Sequence, residues 1–235
     1  MRWRSVMSAG PSILGGRTMT GILEFSEYQG LGPAENLACD EVLLEKRKEV
    51  LRLWESPVPF IVLGRSGRIE REVRLPVEMP VLRRTSGGGT VLQGPGCLNY
   101  SLVLSLECRP ELTSVERSYA VLLGWVVRVL GMALEVKGSD LLFDGRKVSG
   151  SAQRRTRGWL LHHGTLLYDT FDLGMIERVL REPERQPTHR EGRRHGDFVG
   201  KLPVGRAELR ERLLRLTAAV GRGSVCVFPG SENTL

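Results

Sequence analysis

The sequence predicts an α+β fold, in which a mixed or antiparallel sheet is flanked by helices. Segments typical of strands and of helices follow one another without the regular strand–helix–strand alternation of a doubly wound protein. Between two strand-like segments, Asp144-Gly145 is a strong signal for a tight hairpin. No internal repeat or low-complexity linker interrupts the chain, and 41% hydrophobic with 26% charged residues is an ordinary globular composition.

The first twenty residues differ in composition from the rest of the chain. They contain three arginines and no acidic residue, with scattered glycine, proline and serine. We therefore expect residues 1–20 to be a disordered extension and residues 21–235 to form a single domain.

The first predicted helix begins at Pro33 and continues to Val50. Proline suits the first helical turn, and Glu35 in that turn complements the helix dipole. Its apolar residues lie roughly on one face: Leu37, Val42, Leu43 and Val50. Short strands follow at residues 51–56 and 59–64, the first with Arg52 alternating with its leucine neighbours.

The elements predicted further along the chain are strands at residues 79–85 and 97–106, a helix over Ser114–Leu130 with Ser114 as N-cap, strands within 133–155 and over 159–169, and helices at 171–180 and 207–219. Between the last two helices, residues 181–201 are polar and show no apolar periodicity. We expect them to form a mobile surface segment, in which Arg190, Arg193 and Arg194 steer a partner into place.

Composition excludes several classes of protein. No apolar run reaches the roughly 20 residues that span a bilayer, which excludes an integral membrane protein. The cysteines are scattered and form no C-x-x-C pair, which argues against a zinc ribbon or disulfide scaffold and favours a reducing, cytoplasmic setting: Cys39, Cys97, Cys108 and Cys226. The net charge of +7 permits a non-enzymatic nucleic-acid binder, but the aromatic residues, only 6%, do not interleave with the basic clusters.

The segment RRTSGGGTVLQGPG, residues 83–96, is the first candidate for chemistry. Three successive glycines let the backbone adopt positive φ, so that their N–H groups can converge on an anion such as a phosphate. The two arginines upstream can add fixed positive charge to the same anion. A flexible turn beside solvated arginines is the alternative interpretation.

The second candidate is DGRKVSGSAQ, residues 144–153. Lys147 follows the tight turn on a short strand, and Gly150 and Ser151 leave room for a ligand. A lysine held there can stabilise negative charge that develops on a carbonyl or phosphate oxygen. An exposed hairpin lysine is the alternative.

The third candidate is LHHGTLLYD, residues 161–169. Strand alternation places His162 and His163 on opposite faces, so at most one of them faces a site. No third metal ligand stands nearby in the sequence, and a structural histidine is the favoured interpretation of either residue.

Together, RRTSGGGTV, GRKVSGSAQ and HHGTLLYD occur in an order and spacing that resemble the lipoate-protein ligase family. That family shares its catalytic domain with biotin ligases and octanoyltransferases. Supporting matches, which extend the resemblance over about residues 22–202, are ENLACDEVLLE, LRLWESPVPFIVLGR and REPERQPTHREGRRHGDFVGKL. The resemblance implies a biotin/lipoate-ligase-like catalytic domain, here without the C-terminal accessory domain of many ligases.

The resemblance implies an enzyme that attaches lipoate or octanoate to a lysine of a lipoyl-carrier domain of 2-oxoacid dehydrogenase or glycine cleavage proteins. In such ligases ATP, with Mg²⁺, first converts the acid to acyl-AMP. By the resemblance, Lys147 is the catalytic residue at the acyl carbonyl and phosphate, and Asp140 is a candidate ligand of Mg²⁺. The acyl-adenylate site that it implies consists of Arg84, Ser86, Gly87, Gly88, Gly89, Thr90, Asp140, Gly150, Ser151, Ala152, His163, Gly164 and Thr165.

Two positions depart from the common ligase pattern. Ser139 precedes Asp140 where Asn-Asp is frequent, and Gln93 stands where a histidine often follows the glycines. The alternative is an octanoyltransferase, which takes its acyl group from acyl carrier protein through a cysteine thioester and needs no ATP. Such an enzyme needs a thiolate beside a cation or base, and Cys97 is the only cysteine next to a candidate motif. Neither alternative involves a membrane or nucleic acid.

Overall fold

The computed structural model describes residues 23–28 and 30–220. The extension expected at residues 1–20 and the thiol of Cys226 lie outside the described residues. The single domain expected over residues 21–235 stays a prediction.

The strands form two sheets. In chain order they are β1 (Glu24–Ser26), β2 (Val50–Trp54), β3 (Phe60–Leu63), β4 (Val81–Arg83), β5 (Val91–Gln93), β6 (Cys97–Ser105), β7 (Glu135–Lys137), β8 (Asp140–Phe143), β9 (Arg146–Thr156) and β10 (Trp159–Leu167). Seven of them build the large sheet in the order β1-β2-β6-β10-β9-β8-β7, which is antiparallel except where β1 runs parallel to β2. The small sheet has the order β4-β3-β5.

The small sheet presents the glycine run. Strand β3 pairs in parallel with β4 and antiparallel with β5, so the chain must turn back between β4 and β5. Residues 84–90 make this connection, and we call them the Gly-rich loop. The prediction included strands before and after the glycines but missed β5, which has only three residues.

The helices are α1 (Pro33–Glu45), α2 (Ile69–Glu72), α3 (Val115–Leu130), α4 (Leu173–Val179), α5 (His195–Phe198), α6 (Arg206–Leu214) and α7 (Leu216–Val220). Helix α3 begins where the sequence predicts, since Ser114 accepts a hydrogen bond from the Arg117 amide, and it ends at Gly131 in the left-handed conformation. Its apolar face packs into the main core together with β2, β6 and β10.

Helix α1 differs from the prediction at its end and on its inner face. The helix stops at Glu45, and Val50 opens β2. Val42 is 44% exposed, whereas two polar residues, Asn36 and Asp40, are buried with Leu43 and Leu44. The inner face of α1 is therefore partly polar. The single helix expected at residues 207–219 is likewise two helices, α6 and α7.

The Asp144-Gly145 hairpin is confirmed. Both turn residues have positive φ, +48° and +70°, as a two-residue hairpin turn requires. The turn joins β8 to β9, and the register shifts between Leu141 and Leu142, opposite the residues that follow Lys147. The hairpin thus holds Lys147 on a paired strand.

Residues 181–201, which we call the strap, are only partly a surface segment, because more than half of them are exposed while others pack against the sheets. Their expected mobility stays a prediction. Arg190, His195 and Phe198 are buried. The Arg190 guanidinium pairs with Glu182 and lies 5.0 Å from the centre of the Phe198 ring. Charge pairs and one aromatic residue bury this part of the strap, and such contacts leave no apolar periodicity in the sequence. Of the three expected docking arginines, Arg194 is exposed, Arg193 is half-buried and Arg190 is buried.

The α+β class with a mixed sheet and flanking helices is confirmed. In the part of the chain that is described, no helix has the length and apolar character needed to cross a bilayer.

Candidate active site

A cavity of about 600 Å³ lies where the hairpin, the Gly-rich loop and the strap meet. Twelve of the residues expected at a site line it: Arg84, Gly88, Gly89, Thr90, Asp140, Lys147, Gly150, Ser151, Ala152, His163, Gly164 and Thr165. Three do not: Ser86, Gly87 and Cys97. The three separate sequence motifs therefore converge on one cavity.

Lys147 is held by Asp140, which is itself held from the strap. Its Nζ lies 2.8 Å from Asp140 Oδ1, and its side chain is 29% exposed, so the alternative of a freely solvated hairpin lysine does not hold. On the strap, His189 Nε2 lies 3.0 Å from the other oxygen of the same carboxylate. Asp140 thus joins the hairpin lysine to the strap.

This arrangement does not fit a protein-held Mg²⁺ ion at Asp140. Both carboxylate oxygens are engaged, one by Lys147 and one by His189. Magnesium requires near-octahedral oxygen ligands, and within residues 23–28 and 30–220 no three His, Cys, Asp or Glu side chains come together to hold a metal ion.

Arg84 braces the Gly-rich loop. Its Nη2 donates to the carbonyl oxygens of Gly87 at 2.7 Å and Gly89 at 2.8 Å, and its Nε donates to Ser86 Oγ at 3.0 Å. Burial lowers the pKa of Arg84 to about 10, so the guanidinium stays protonated at neutral pH. The expected role of Arg84 as a ligand contact is therefore reduced, because most of its donors serve the loop itself.

Gly64 on the small sheet fixes how closely the loop approaches β3. A Cβ at Gly64 would lie 1.9 Å from the Gly88 carbonyl oxygen, which no side chain tolerates. Gly88 itself has φ of +90°, a conformation that only glycine adopts readily. The sequence analysis missed Gly64, although it directly follows an apolar strand, where a glycine often marks close backbone approach.

Behind the loop lies a buried polar cluster that the sequence analysis also missed. Arg52 is fully buried, and its Nη1 donates to Asp40 Oδ1 at 2.7 Å. Every residue of β2 is buried, so the strand is covered on both faces and alternation does not bring Arg52 to solvent. An arginine between two leucines, together with an Asn and an Asp four residues apart on α1, is the signal that indicates such a pair.

The two histidines point to opposite sides, as alternation predicts. His162 is fully buried between the rings of Tyr100 and Tyr119. Burial lowers the pKa of His162 to about 3, so it is a neutral core residue. His163 faces the cavity, and its Nε2 lies 2.7 Å from Ser86 Oγ.

Cys97 lies in the core. It is completely buried at the start of β6, packed with Ile61, Leu167 and Phe171. Burial, followed by the Glu55 charge, raises the pKa of its thiol far above neutral. A nucleophilic cysteine needs the opposite, an accessible thiol with a lowered pKa. None of the three described cysteines, Cys39, Cys97 and Cys108, lines the cavity.

The cavity has an apolar part and a cationic part. Its apolar wall includes Val91, Leu92, Leu167, Ile176 and Phe198. The cationic side chains in the lining outnumber the carboxylates of Glu72 and Asp140: Arg84, Lys137, Lys147, Arg181, Arg185 and Arg190. Such a lining suits a molecule with an apolar chain and an anionic end.

Three buried polar atoms in the lining have no hydrogen-bond partner among the described residues. They are Trp54 Nε1, Gln93 Oε1 and Ser149 Oγ. A buried polar atom without a partner is costly, so these atoms mark positions where a bound molecule or water is favoured.

Comparison with known proteins agrees with the sequence resemblance. Residues 32–202 match the profile of the family described as the lipoyl protein ligase A/B catalytic domain. A putative lipoate-protein ligase A of Aeropyrum pernix is 33% identical over 163 residues, 64% of this chain and 59% of the relative. An octanoyltransferase LipM of Carboxydothermus hydrogenoformans is 32% identical over an alignment of 252 positions, gaps included, which covers 90% of each chain. The chain spans about half the length of the first lipoate-protein ligases that it matches, 43–59%.

Solved structures with a similar fold include lipoate ligases. A bi-partite lipoate protein ligase of Thermoplasma acidophilum, described with its E2 lipoyl domain, is 25% identical with a TM-score of 0.69, over 86% of this chain and 83% of that one. A lipoate-protein ligase A bound with ATP is 26% identical with a TM-score of 0.67, over 86% and 85% of the two chains.

Proposed function

The chain belongs to the lipoyl protein ligase A/B catalytic domain family, and on this premise we propose that it attaches a lipoyl or octanoyl group to the acceptor lysine of a lipoyl-carrier domain through an acyl-AMP. The observation that carries the proposal is the position of Lys147, which lines a cavity together with apolar and other cationic side chains and with no described cysteine. The proposed carriers are the lipoyl domains of 2-oxoacid dehydrogenases or glycine cleavage proteins. A cytoplasmic location stays a prediction.

In the first step, the acyl chain lies against the apolar wall and its carboxylate is held near Lys147. A carboxylate oxygen attacks the α-phosphorus of ATP, the P–O bond to pyrophosphate breaks, and acyl-AMP forms. The Lys147 ammonium stabilises the charge on the reacting oxygens, and Asp140 keeps it in place. ATP use is supported by the likeness to a ligase bound with ATP.

In the second step, the neutral amine of the carrier lysine attacks the acyl carbonyl. The C–O bond to AMP breaks, AMP leaves as an anion, and the amine loses one proton as the amide forms. Negative charge develops on the carbonyl oxygen, and a fixed ammonium such as that of Lys147 lowers the barrier for this charge. Mg²⁺ takes part only as the counter-ion of the ATP substrate.

An octanoyltransferase is the second candidate, because a LipM matches 90% of the chain. That reaction passes the acyl group through a cysteine thioester. The described cysteines argue against it, since Cys97 and Cys108 are buried and burial raises the pKa of Cys39.

One experiment separates the two candidates. The protein is incubated with an apo lipoyl domain in three parallel reactions. One contains lipoate plus Mg-ATP, the second octanoate plus Mg-ATP, and the third octanoyl-acyl carrier protein without nucleotide. Intact mass of the carrier reports acylation, and AMP is measured in the same samples. The proposal expects acylated carrier and one AMP per acyl group only with ATP. Acylation from the carrier-protein donor alone, with an acyl adduct on this chain, would establish the transferase instead.

A further inference from the structure

The buried polar cluster behind the Gly-rich loop forms a continuous chain of contacts. It starts at the ion pair between Arg52 and Asp40, whose side chains are 0% and 4% exposed. It continues through His163 and Ser86 and ends at the guanidinium of Arg84, which holds the loop carbonyls. A buried charge pair costs desolvation energy and contributes little net stability, so its presence calls for a role beyond packing.

The hydrogen-bonding capacity of each member fixes the direction of the chain. A guanidinium can only donate, so Ser86 Oγ accepts from Arg84 Nε at 3.0 Å. The single O–H of Ser86 is then free to donate to His163 Nε2, 2.7 Å away. That bond requires Nε2 to be unprotonated, which puts the imidazole proton on Nδ1.

Asp40 lies on the side of His163 where this proton must be. His163 Nδ1 is 3.7 Å from Asp40 Oδ2, too long for a hydrogen bond but close enough for a strong electrostatic contact in a buried site. The same carboxylate accepts from Ser101 at 2.7 Å and from Arg52 at 2.7 Å, so it is fixed in place. Although burial by itself would raise the pKa of Asp40, His163 and Arg52 outweigh it and the pKa is lowered.

We infer that Asp40 is a positioning residue: its buried carboxylate selects the Nδ1–H tautomer of His163, which orients Ser86 and, through Arg84, sets the shape of the Gly-rich loop. The tautomer of a histidine depends on what its two ring nitrogens face, here a hydroxyl donor at Nε2 and a carboxylate at Nδ1. The inference adds to the proposed function the residues that shape its anion-binding loop, and it is tested without substrate.

The trio Ser86, His163 and Asp40 does not act as a nucleophilic triad in this structure. Ser86 is 2% exposed and does not line the cavity, so its hydroxyl cannot reach an acyl carbonyl. Its proton is directed to His163 for geometry, and no bond to substrate is assigned to it.

The direct test is ¹⁵N NMR of the imidazole rings, since protonated and unprotonated ring nitrogens have well-separated shifts. The chain has four histidines, which single substitutions assign. In the wild type we expect the His163 proton on Nδ1. In Asp40→Asn, the amide oxygen must face Arg52, so its NH₂ group faces His163 and the proton moves to Nε2. A wild-type proton on Nε2, or an unchanged tautomer in folded Asp40→Asn, overturns the inference.

Asp40→Asn leaves the charge of Arg52 unpaired and can fail to fold, so Ser86→Ala provides a second test. This variant removes the link to Arg84 but buries no new charge. Amide hydrogen exchange over residues 86–90 is expected to become roughly fivefold faster, the factor that the loss of one ordinary hydrogen bond implies. Exchange in this loop equal to the wild type would overturn the inference.

Glu49→Gln is the matched control. Glu49 pairs with the buried Arg109 at a site that does not line the cavity, so the variant also disturbs a buried charge pair. It is expected to lower the melting temperature but to leave the His163 tautomer and loop exchange unchanged. If Glu49→Gln changed the His163 tautomer as Asp40→Asn does, or the loop exchange as Ser86→Ala does, the effect would be general loosening and the inference would fail. Failure of acyl transfer with the expected tautomers would instead refute only the proposed function.

Discussion

At Gly150, the absence of a side chain makes room for the amine of Lys147. A Cβ at Gly150 would lie 3.0 Å from both Cε and Nζ of that lysine, so Gly150→Ala must push the amine aside while the hairpin backbone stays. We expect carrier acylation to fall, because the amine must shift by a few tenths of an ångström from its position, with little change in melting. Gly124→Ala on α3, where nothing lies within 4 Å, is the control. Normal acylation by Gly150→Ala would contradict the placement of the amine.

At Cys97, in contrast, we expect a substitution to lower stability and to leave acylation nearly unchanged. Because the thiol is buried in the core with a raised pKa, Cys97→Ala removes only a small apolar group. We expect near-normal acylation, a stability loss of about 1 kcal/mol, and no acyl adduct on wild-type Cys97 in intact mass spectra. A folded Cys97→Ala variant without activity, together with such an adduct in the wild type, would show that the core opens during catalysis.

Among the structural elements, the Gly-rich loop depends most on one residue outside it. Gly64→Ala places a methyl group against the Gly88 carbonyl, so the loop or β3 must move. Overpacking of this kind costs about 1–3 kcal/mol, which thermal or urea unfolding will measure. Gly87→Ala, in the same loop with nothing within 4 Å, is expected to melt near the wild type. Equal melting of the two variants would mean that the loop does not rest on β3.

The elements that the sequence predicts well carry their own local signals. Asp144-Gly145 specifies its turn, and Ser114 caps a helix with a regular apolar face. The polar face of α1 was missed because its burial depends on partners far away in the chain. In the strap, Arg190 is buried by a charge pair with Glu182 and by the Phe198 ring, which leave no apolar periodicity. Arg52 is buried only because Asp40 meets it from another element, and hydropathy alone assigns such a residue to the surface.

In the candidate site, too, the residues with local sequence signals were predicted and those that depend on distant partners were not. Twelve expected residues line the cavity because each lies in a motif whose composition is informative locally. The residues that support the Gly-rich loop could not be predicted from local sequence. Gly64 contacts Gly88, 24 residues away, and Asp40 contacts His163, 123 residues away.

For the whole molecule, His162 predicts how stability depends on pH. Its pKa in the folded chain is about 3 against an ordinary 6.5, because burial disfavours the charged ring. The unfolded chain therefore binds the extra proton first, and stability is lost as pH falls from about 6.5 toward 3. The slope is up to about 1.4 kcal/mol per pH unit for one proton. Urea unfolding at pH 7, 6 and 5 should show a smaller slope in His162→Gln, and equal slopes would contradict a neutral buried His162.

Acylation of a lipoyl domain by the Lys147→Ala variant is the decisive measurement of whether a fixed positive charge at Lys147 serves acyl transfer. AMP and acylated carrier are measured together, beside a thermal melt. We expect Lys147→Ala to fold like the wild type and to acylate the carrier roughly 10²–10³-fold more slowly, the cost of losing one preorganised oxyanion contact. Lys147→Arg should restore only part of the rate, because a planar guanidinium presents its donors differently. A folded Lys147→Ala variant with wild-type acylation would contradict the account.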